Sequence, residues 1–332
     1  MKHIKKILPI IGIALFFYLI YTTGLQRIAA TFMKISPLHI VAVILLSIPV
    51  VLINNFQWQL ILKKHKIKIS YIESLKISIV SVFYGAVTPG KIGTYVKIYY
   101  LKEKTKQPYG KLFTNALIFS VITYITLFCF LIIGSLFFIS KIPVMLPIVI
   151  ICFTIFIALI VILYKKERGE KIFKLLLKLT ISKKLKKLFS KFLKTFYDDF
   201  PKLKGLILPL LIDFPAIALS YTQIYIIALS LGIRIPYYEF IFICPIITIA
   251  TLIPFSPGAL GIREASVMGM LSFYGVAPEV AFVLSLASFL TIRIPKTILG
   301  SLIALKWGLK DKQSNLISRI TSIKKQINLS FR

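Results

Sequence analysis

The sequence predicts an all-α polytopic membrane protein with six spanning helices plus two opposed re-entrant hairpins related as an inverted repeat. Three observations carry this expectation. Of 332 residues, 58% are hydrophobic and only 16% charged, with a mean hydropathy of +0.87, whereas soluble domains are about 45–50% apolar and ~25% charged. The apolar residues fall in runs approaching or exceeding the roughly 20 residues a helix needs to cross ~30 Å of hydrocarbon. The 42 Lys and Arg, against 11 Asp and Glu for a net charge of +31, gather between those runs, where cytoplasmic loops concentrate them. An outer-membrane barrel is excluded, because stretches such as 112–139 lack the alternation of lipid-facing and lumen-facing residues. No basic patch with interleaved aromatics stands apart from a span, so nucleic acid is not an expected partner.

Along the chain, Lys2, Lys5 and Lys6 precede an apolar run over 7–21. It reads as a first span that starts in the cytoplasm. A secretory signal is the alternative, although no small-x-small cleavage site closes the run. Further spans are expected at about 38–62, 112–139, 142–164, 206–231 and 280–305. Lys63, Lys64, Lys66 and Lys68 lie before the run 71–87, and Lys97, Lys102, Lys104, Lys106 and Lys111 lie after it. Both flanks then face the cytoplasm, so 71–101 is predicted to dip in and turn back at Pro89-Gly90, where proline ends a helix and glycine permits reversal. The flanks of 240–274 carry almost no basic residues and are placed outside. This gives a second hairpin from the opposite face, turning at Pro257-Gly258.

One membrane domain therefore covers 1–332. A first half (1–164) and a second half (206–305) flank a basic cytoplasmic loop at 165–205, and a cytoplasmic tail occupies 306–332. Both termini are assigned to the cytoplasmic side of the cell membrane. In the loop, Leu185, Leu188, Phe189, Phe192 and Phe196 recur at helical spacing among lysines. That pattern suits an amphipathic helix against anionic inner-leaflet headgroups, or a cytosolic helix packed on the membrane domain. Cys129, Cys152 and Cys244 lie inside apolar runs without a C-x-x-C pair. They read as packing residues, and no metal site or other cofactor is expected.

The two turns share a form. Thr88-Pro89-Gly90-Lys91-Ile92-Gly93 and Ser256-Pro257-Gly258-Ala259-Leu260-Gly261 both read [ST]-P-G-x-[IL]-G, and broken helices in inverted repeats are a transporter architecture. A plain alternative is that Pro-Gly serves any tight intramembrane turn. With Pro254-Phe255 before the second motif and Ile262-Arg263-Glu264-Ala265 after it, the pair resembles the two signature stretches of the lysylphosphatidylglycerol synthase/flippase transmembrane-domain family. That family's second stretch usually reads P-x-S-P-G-G-x-G-x-R-E-A, so Ala259 stands at its second glycine. Thr94 stands where the first stretch often has an acid, and Lys97 where it often has arginine. Some relatives join this domain to a cytoplasmic aminoacyl-transferase domain. The resemblance here implies the lipid-handling part without the synthetic part.

Several charges fall at depth. Counting ~1.5 Å per residue, Arg263 lies about 18 Å from the outer end of its segment, Arg293 about 21 Å, and Lys91 about 15 Å from the inner face. Asp213, about 10 Å from the inner face, falls at a similar level. Intramembrane ionisable groups mark pathways or pairs, and the arginine fork suits a phosphate. The expected phosphate-headgroup site is Arg263, Arg293, Lys91 and the half-helix amides after Gly90 and Gly258. Glu264 and Asp213 would balance charge or carry a proton. Structural Arg–Asp/Glu pairs are the alternative. Asn54, Asn55 and Gln57 either line the cavity or bridge helices, and Lys296 lies nearer the cytoplasm and snorkels.

The favoured function is a flippase or transporter moving a phosphate-bearing, glycosylated or isoprenoid lipid between leaflets, so an anionic membrane lipid is the expected partner. A lipid-modifying or polyprenyl-phosphate glycosyl-transfer enzyme would need a nucleophile, base or metal cluster. Yet His3, His39 and His65 lie at or beyond the span ends, and no D-x-D array appears. A channel or scaffold stays open as a third class.

Overall fold

The computed structural model describes residues 4–137, 139–140, 142–164, 195–196, 203–252 and 256–308. Every regular element among them is helical. In chain order these are α1 (Ile4–Thr23), α2 (Leu25–Phe32), α3 (Pro37–Lys64), α4 (Tyr71–Val87), a 3-10 turn (Pro89–Tyr95), α5 (Val96–Thr105), α6 (Tyr109–Phe137) and α7 (Met145–Tyr164). After a short 3-10 turn (Leu203–Leu206) come α8 (Ile207–Ser230), α9 (Tyr237–Ala250), a third 3-10 turn (Pro257–Ala259) and α10 (Ile262–Ser272). The last element is the long helix α11 (Pro278–Gly308).

Five helices, α3, α6, α7, α8 and α11, are long and apolar enough to cross a membrane, and the bent pair α1 and α2 makes a sixth candidate. α9, at 14 residues, spans only about 21 Å if straight, short of the ~30 Å core. The apolar window of α7 has no buried residue. In water that surface would be a liability, and in lipid it is the expected coat. The amphipathic helix expected near 183–196 and the tail beyond 308 lie almost wholly outside the described residues. Phe196, which is described, is buried on α6, where Thr114 Oγ1 donates to its carbonyl at 3.0 Å.

One order occurs twice, α3, α4, 3-10 turn, α5, α6 and then α8, α9, 3-10 turn, α10, α11, each time a long helix, a shorter helix, a turn, a short helix and a long helix. The two leading helices α3 and α8 pack together antiparallel through reciprocal glutamines. Gln57 Nε2 donates to the Pro209 carbonyl at 3.1 Å, while Gln223 Nε2 donates to the Val43 carbonyl at 2.8 Å and Ser47 Oγ at 2.6 Å. Such bonds are worth about 0.6 kcal/mol each in a membrane interior.

The two arms of each hairpin are tied together at the base by a glutamate. Glu73, in the first turn of α4, pairs with Lys104 of α5 at 3.0 Å, and Glu239, in the first turn of α9, accepts from Tyr274 Oη just beyond α10 at 2.6 Å. Ser70 caps α4 by accepting from the Glu73 amide at 3.2 Å, the local start signal that Ser-x-x-Glu predicts.

At the tips, the two Pro-Gly turns pack against each other. Their fourth residues, Lys91 and Ala259, adopt the same left-handed backbone, with φ of 57° and 58°. Their amides close the same bond, Lys91 N to the Thr88 carbonyl at 3.3 Å and Ala259 N to the Ser256 carbonyl at 3.1 Å. Gly93 is required for packing, because a Cβ there would run into the Tyr84 carbonyl.

An alanine at φ 58° costs roughly 1–2 kcal/mol relative to an unstrained residue, and a glycine replacement returns part of that gain as unfolded-state entropy. Ala259→Gly, which restores the glycine of the resembled pattern, is therefore expected to stabilise the protein by about 1 kcal/mol. A rise in thermal unfolding midpoint in detergent checks this.

Candidate functional site

Behind the second turn, the sequence Phe289-Leu290-Thr291-Ile292-Arg293 forms a π-helical turn inside α11, in which the Ile294 amide reaches back to the Phe289 carbonyl. Pro295, which follows directly, has no amide to give the Thr291 carbonyl, and the helix widens ahead of it. The wider turn sets Phe289 and Arg293 on the face that looks at α9 and α10, below Ser285. These residues, with Gly258, Arg263, Thr248 and Thr251, line a cavity of about 170 Å3. Ile243, Ile247 and Val267 are among the apolar side chains that form the rest of its wall.

Arg263, at the start of α10, is held on three sides. Its guanidinium carbon lies 4.2 Å from the centre of the Phe289 ring, a cation–π contact. Its Nε donates to Glu264 Oε1 and to Ser285 Oγ, both at 3.0 Å, and its Nη2 also pairs with Glu264 Oε1. Its Nη1 has no protein partner among the described residues. Glu264 is fully buried and Arg263 is 13% exposed, and Glu264 also accepts from the Gly261 amide at 2.7 Å and from Ser285 Oγ at 3.2 Å.

Arg293 forms no ion pair among the described residues, yet it stands within electrostatic reach of Arg263, Lys91 and Lys296. The structure thus gathers three further cations around Arg293, and the carboxylate joined to this group among the described residues is Glu264, paired with Arg263. In a low-dielectric setting such repulsion is costly, and an anion between the guanidinium groups would offset it. Arg263 and Arg293 both line the cavity, while Lys91 reaches the cluster from the other hairpin's turn.

Other expected members fall elsewhere. Asp213 does not line this cavity. It is 1% exposed on the part of α8 that faces α3 and α6, beside Gln57 and Thr126. Asn55 bridges helices, its Nδ2 donating to the Tyr71 carbonyl at 3.1 Å and its Oδ1 accepting from Ser74 Oγ at 3.1 Å. Asn54 bonds back to the Val50 carbonyl of its own helix at 2.8 Å. Neither Asn54 nor Asn55 is on the wall of this cavity.

Several of the half-helix amides are engaged within the turns. Those after Gly90 and Gly258 are used by the carbonyls of Thr88 and Ser256. Gly93 N donates to Thr88 Oγ1 at 2.8 Å, and Gly261 N to Glu264. Gly258 itself remains on the cavity wall, and Gly90 sits within the first 3-10 turn. The side-chain cations that line the cavity are Arg263 and Arg293.

Sequence reasoning missed Ser285 and Phe289. Their signal was the spacing Ser285, Phe289, Arg293, one residue every four along a single helix face. In the first hairpin Lys97 makes a contact of the same kind as Arg263, with its Nζ 4.4 Å from the Phe119 ring centre and 5.3 Å from that of Trp58.

The fold and site define a multi-pass helical membrane protein in which two helix–turn–helix hairpins meet beside a buried cationic cavity. Residues 7–300 match the family described as "Lysylphosphatidylglycerol synthase TM region", and the chain belongs to that family. Among curated relatives, it is 25% identical over 325 residues to a UPF0104 membrane protein of Pyrococcus horikoshii, covering 91% of this chain and 97% of that one. A UPF0104 membrane protein of Methanothermobacter thermautotrophicus is 26% identical over 91 residues, covering 27% of this chain and 26% of the other.

Proposed function

We propose that the protein is a flippase or transporter that carries a phosphate-bearing lipid between leaflets of the cell membrane. The observation that supports this reading most is the two arginines on the cavity wall, Arg263 and Arg293, with Lys91 and Lys296 within electrostatic reach of Arg293. For a phosphate between them, the two guanidinium groups would replace part of the hydration it loses on leaving water, and Arg263 Nη1, without a partner among the described residues, remains a donor for it. Apolar walls beside these charges suit the lipid segment next to the headgroup.

The hairpins are taken as re-entrant and opposed, related as an inverted repeat, with both termini and the basic loop on the cytoplasmic side near anionic headgroups. The matching element order, the two glutamate-closed hairpin bases and the shared left-handed turns favour this arrangement. Single-cysteine variants at positions 64 and 104 should react with an impermeant thiol reagent from the cytoplasmic side, and one at 275 from outside alone. Outside labelling at 104 would make the first hairpin an ordinary span and end the inverted repeat.

No phosphate-binding G-x-x-x-x-G-K-[ST] loop occurs in the sequence, so movement is expected without nucleotide. In liposomes doped with a fluorescent anionic lipid, the reconstituted protein should expose the inner-leaflet label to an outside quencher faster than protein-free vesicles do. Rates no faster than those of protein-free vesicles for phosphatidic acid, phosphatidylglycerol and a polyprenyl phosphate alike would count against the reading.

A further inference from the structure

Nearer the start of α8, away from the cavity, the structure holds a second buried polar cluster. Asp213 is 1% exposed, and its Oδ2 has no hydrogen-bond partner. Gln57 of α3 is fully buried, and its Oε1 is likewise unpartnered. The amide cannot be turned around, because its Nε2 serves the Pro209 carbonyl, which only accepts. Thr126 of α6, also fully buried, stands beside Asp213 and donates to the Ile122 carbonyl at 3.2 Å. Gln57 Nε2 keeps a second N–H beside Asp213, yet two buried oxygens of the cluster, Asp213 Oδ2 and Gln57 Oε1, are left without a hydrogen.

No described charge supplies compensation. α8 packs on α3, α6, α9, α11 and the 3-10 turn Leu203–Leu206. Their titratable and charged groups are His39, Lys63, His65 and Lys64 on or next to α3, Tyr109, Lys111, Tyr124 and Cys129 on α6, Tyr237, Tyr238, Glu239 and Cys244 on α9, Glu279, Arg293, Lys296 and Lys306 on α11, and Lys204 in the turn. None is paired with Asp213. On α8 itself, Tyr221 lies two turns further along and shares a hydrogen bond with Thr248 at 3.2 Å. An unpaired carboxylate in a membrane interior costs several kcal/mol, whereas a carboxylic acid brings the missing donor.

We propose that Asp213, with Gln57 and Thr126, is a proton-binding site separate from the Arg263–Arg293 cavity, and that proton binding and release there accompanies substrate movement. On binding, one O–H bond forms at the carboxylate and the new donor satisfies a neighbouring acceptor. On release, the proton returns to water and the bond is broken, with no other reactant consumed. α8 connects the two sites, because Ile224, about three turns along the same helix from Asp213, contributes to the cavity wall. The coupling rests on the transport reading above, and the proton site does not.

Infrared difference spectra of the purified full-length protein between acid and alkaline buffer test the site without any lipid. A protonated-carboxyl band, shifted in D2O, should appear in the wild type and be lost in Asp213→Asn. This variant keeps a donor for Gln57 and should melt with the wild type, while Asp213→Ala should melt lower. Absence of the band, its persistence in Asp213→Asn, or stabilisation of the wild type by sodium in place of protons would overturn the proposal. In vesicles carrying a polyprenyl phosphate or phosphatidic acid, an imposed pH gradient should change the rate of lipid movement for wild type and not for Asp213→Asn. A response kept in the variant overturns the coupling, and the infrared test decides the proton site whether or not any lipid moves.

Discussion

Arg293→Ala is expected to abolish lipid movement while leaving the protein folded and at least as stable as wild type. Arginine deep in a spanning helix is ordinarily kept by a partner acid, and removing it strands that acid. Arg293 has no such partner among the described residues. Its charged neighbours are Arg263, Lys91 and Lys296, all of its own sign. Truncation therefore relieves repulsion and orphans nothing. A two-point hydrogen-bonded contact to phosphate is worth about 1.5–3 kcal/mol per charged bond, so losing both reduces binding by at least ~100-fold at about 1.4 kcal/mol per decade. Arg293→Lys keeps the charge and loses the fork, and should be intermediate. Lipid scrambling assays beside thermal unfolding separate the two effects. Normal transport in Arg293→Ala would remove the cavity from the mechanism.

Much of this architecture is legible because membrane insertion writes it into composition. Lysines on both flanks of 71–87 are in keeping with a segment that returns, and Glu73 paired with Lys104 closes that return. Pro-Gly marks both tips, since proline stops a helix, and the residue after each glycine takes a left-handed backbone. What sequence does not supply is direction around a helix axis. Depth alone groups Asp213 with Arg263 and Arg293, and depth counts residues along one coordinate. Asp213 projects toward α3 and α6, whereas Arg293 projects into the cavity because Pro295 and the π-helical turn rotate that face. Asn55 is ambiguous in sequence for the same reason. Its contacts with Tyr71 and Ser74 belong to the packing of α3 on α4, and a lone asparagine in an apolar run does not announce its neighbour. The amides of the turns present another kind of problem, as only coordinates tell whether a donor is free or already used by the turn that creates it.

Arg263→Ala is expected to behave differently from Arg293→Ala, and the difference decides what Arg263 is for. Its removal leaves Glu264, fully buried, with only the Gly261 amide and Ser285 Oγ as donors. Breaking a buried ion pair from one side costs about 3–5 kcal/mol, a large fraction of the ~5–15 kcal/mol that holds a typical domain together. The single variant should therefore express poorly or unfold at markedly lower temperature. In Arg263→Ala with Glu264→Gln, the buried charge is gone and the glutamine oxygen still accepts from the Gly261 amide, so most of the stability should return. Transport should not return, because the Nη1 donor and the cation over Phe289 are both lost. Glu264→Gln alone should keep the fold, leave the cationic cluster unopposed and tighten binding of a phosphate-bearing lipid, measured by lipid retained through purification. If the double variant regains both stability and transport, Arg263 serves only to pin α10 against α11, and the anion site must be sought at Arg293 with Lys91.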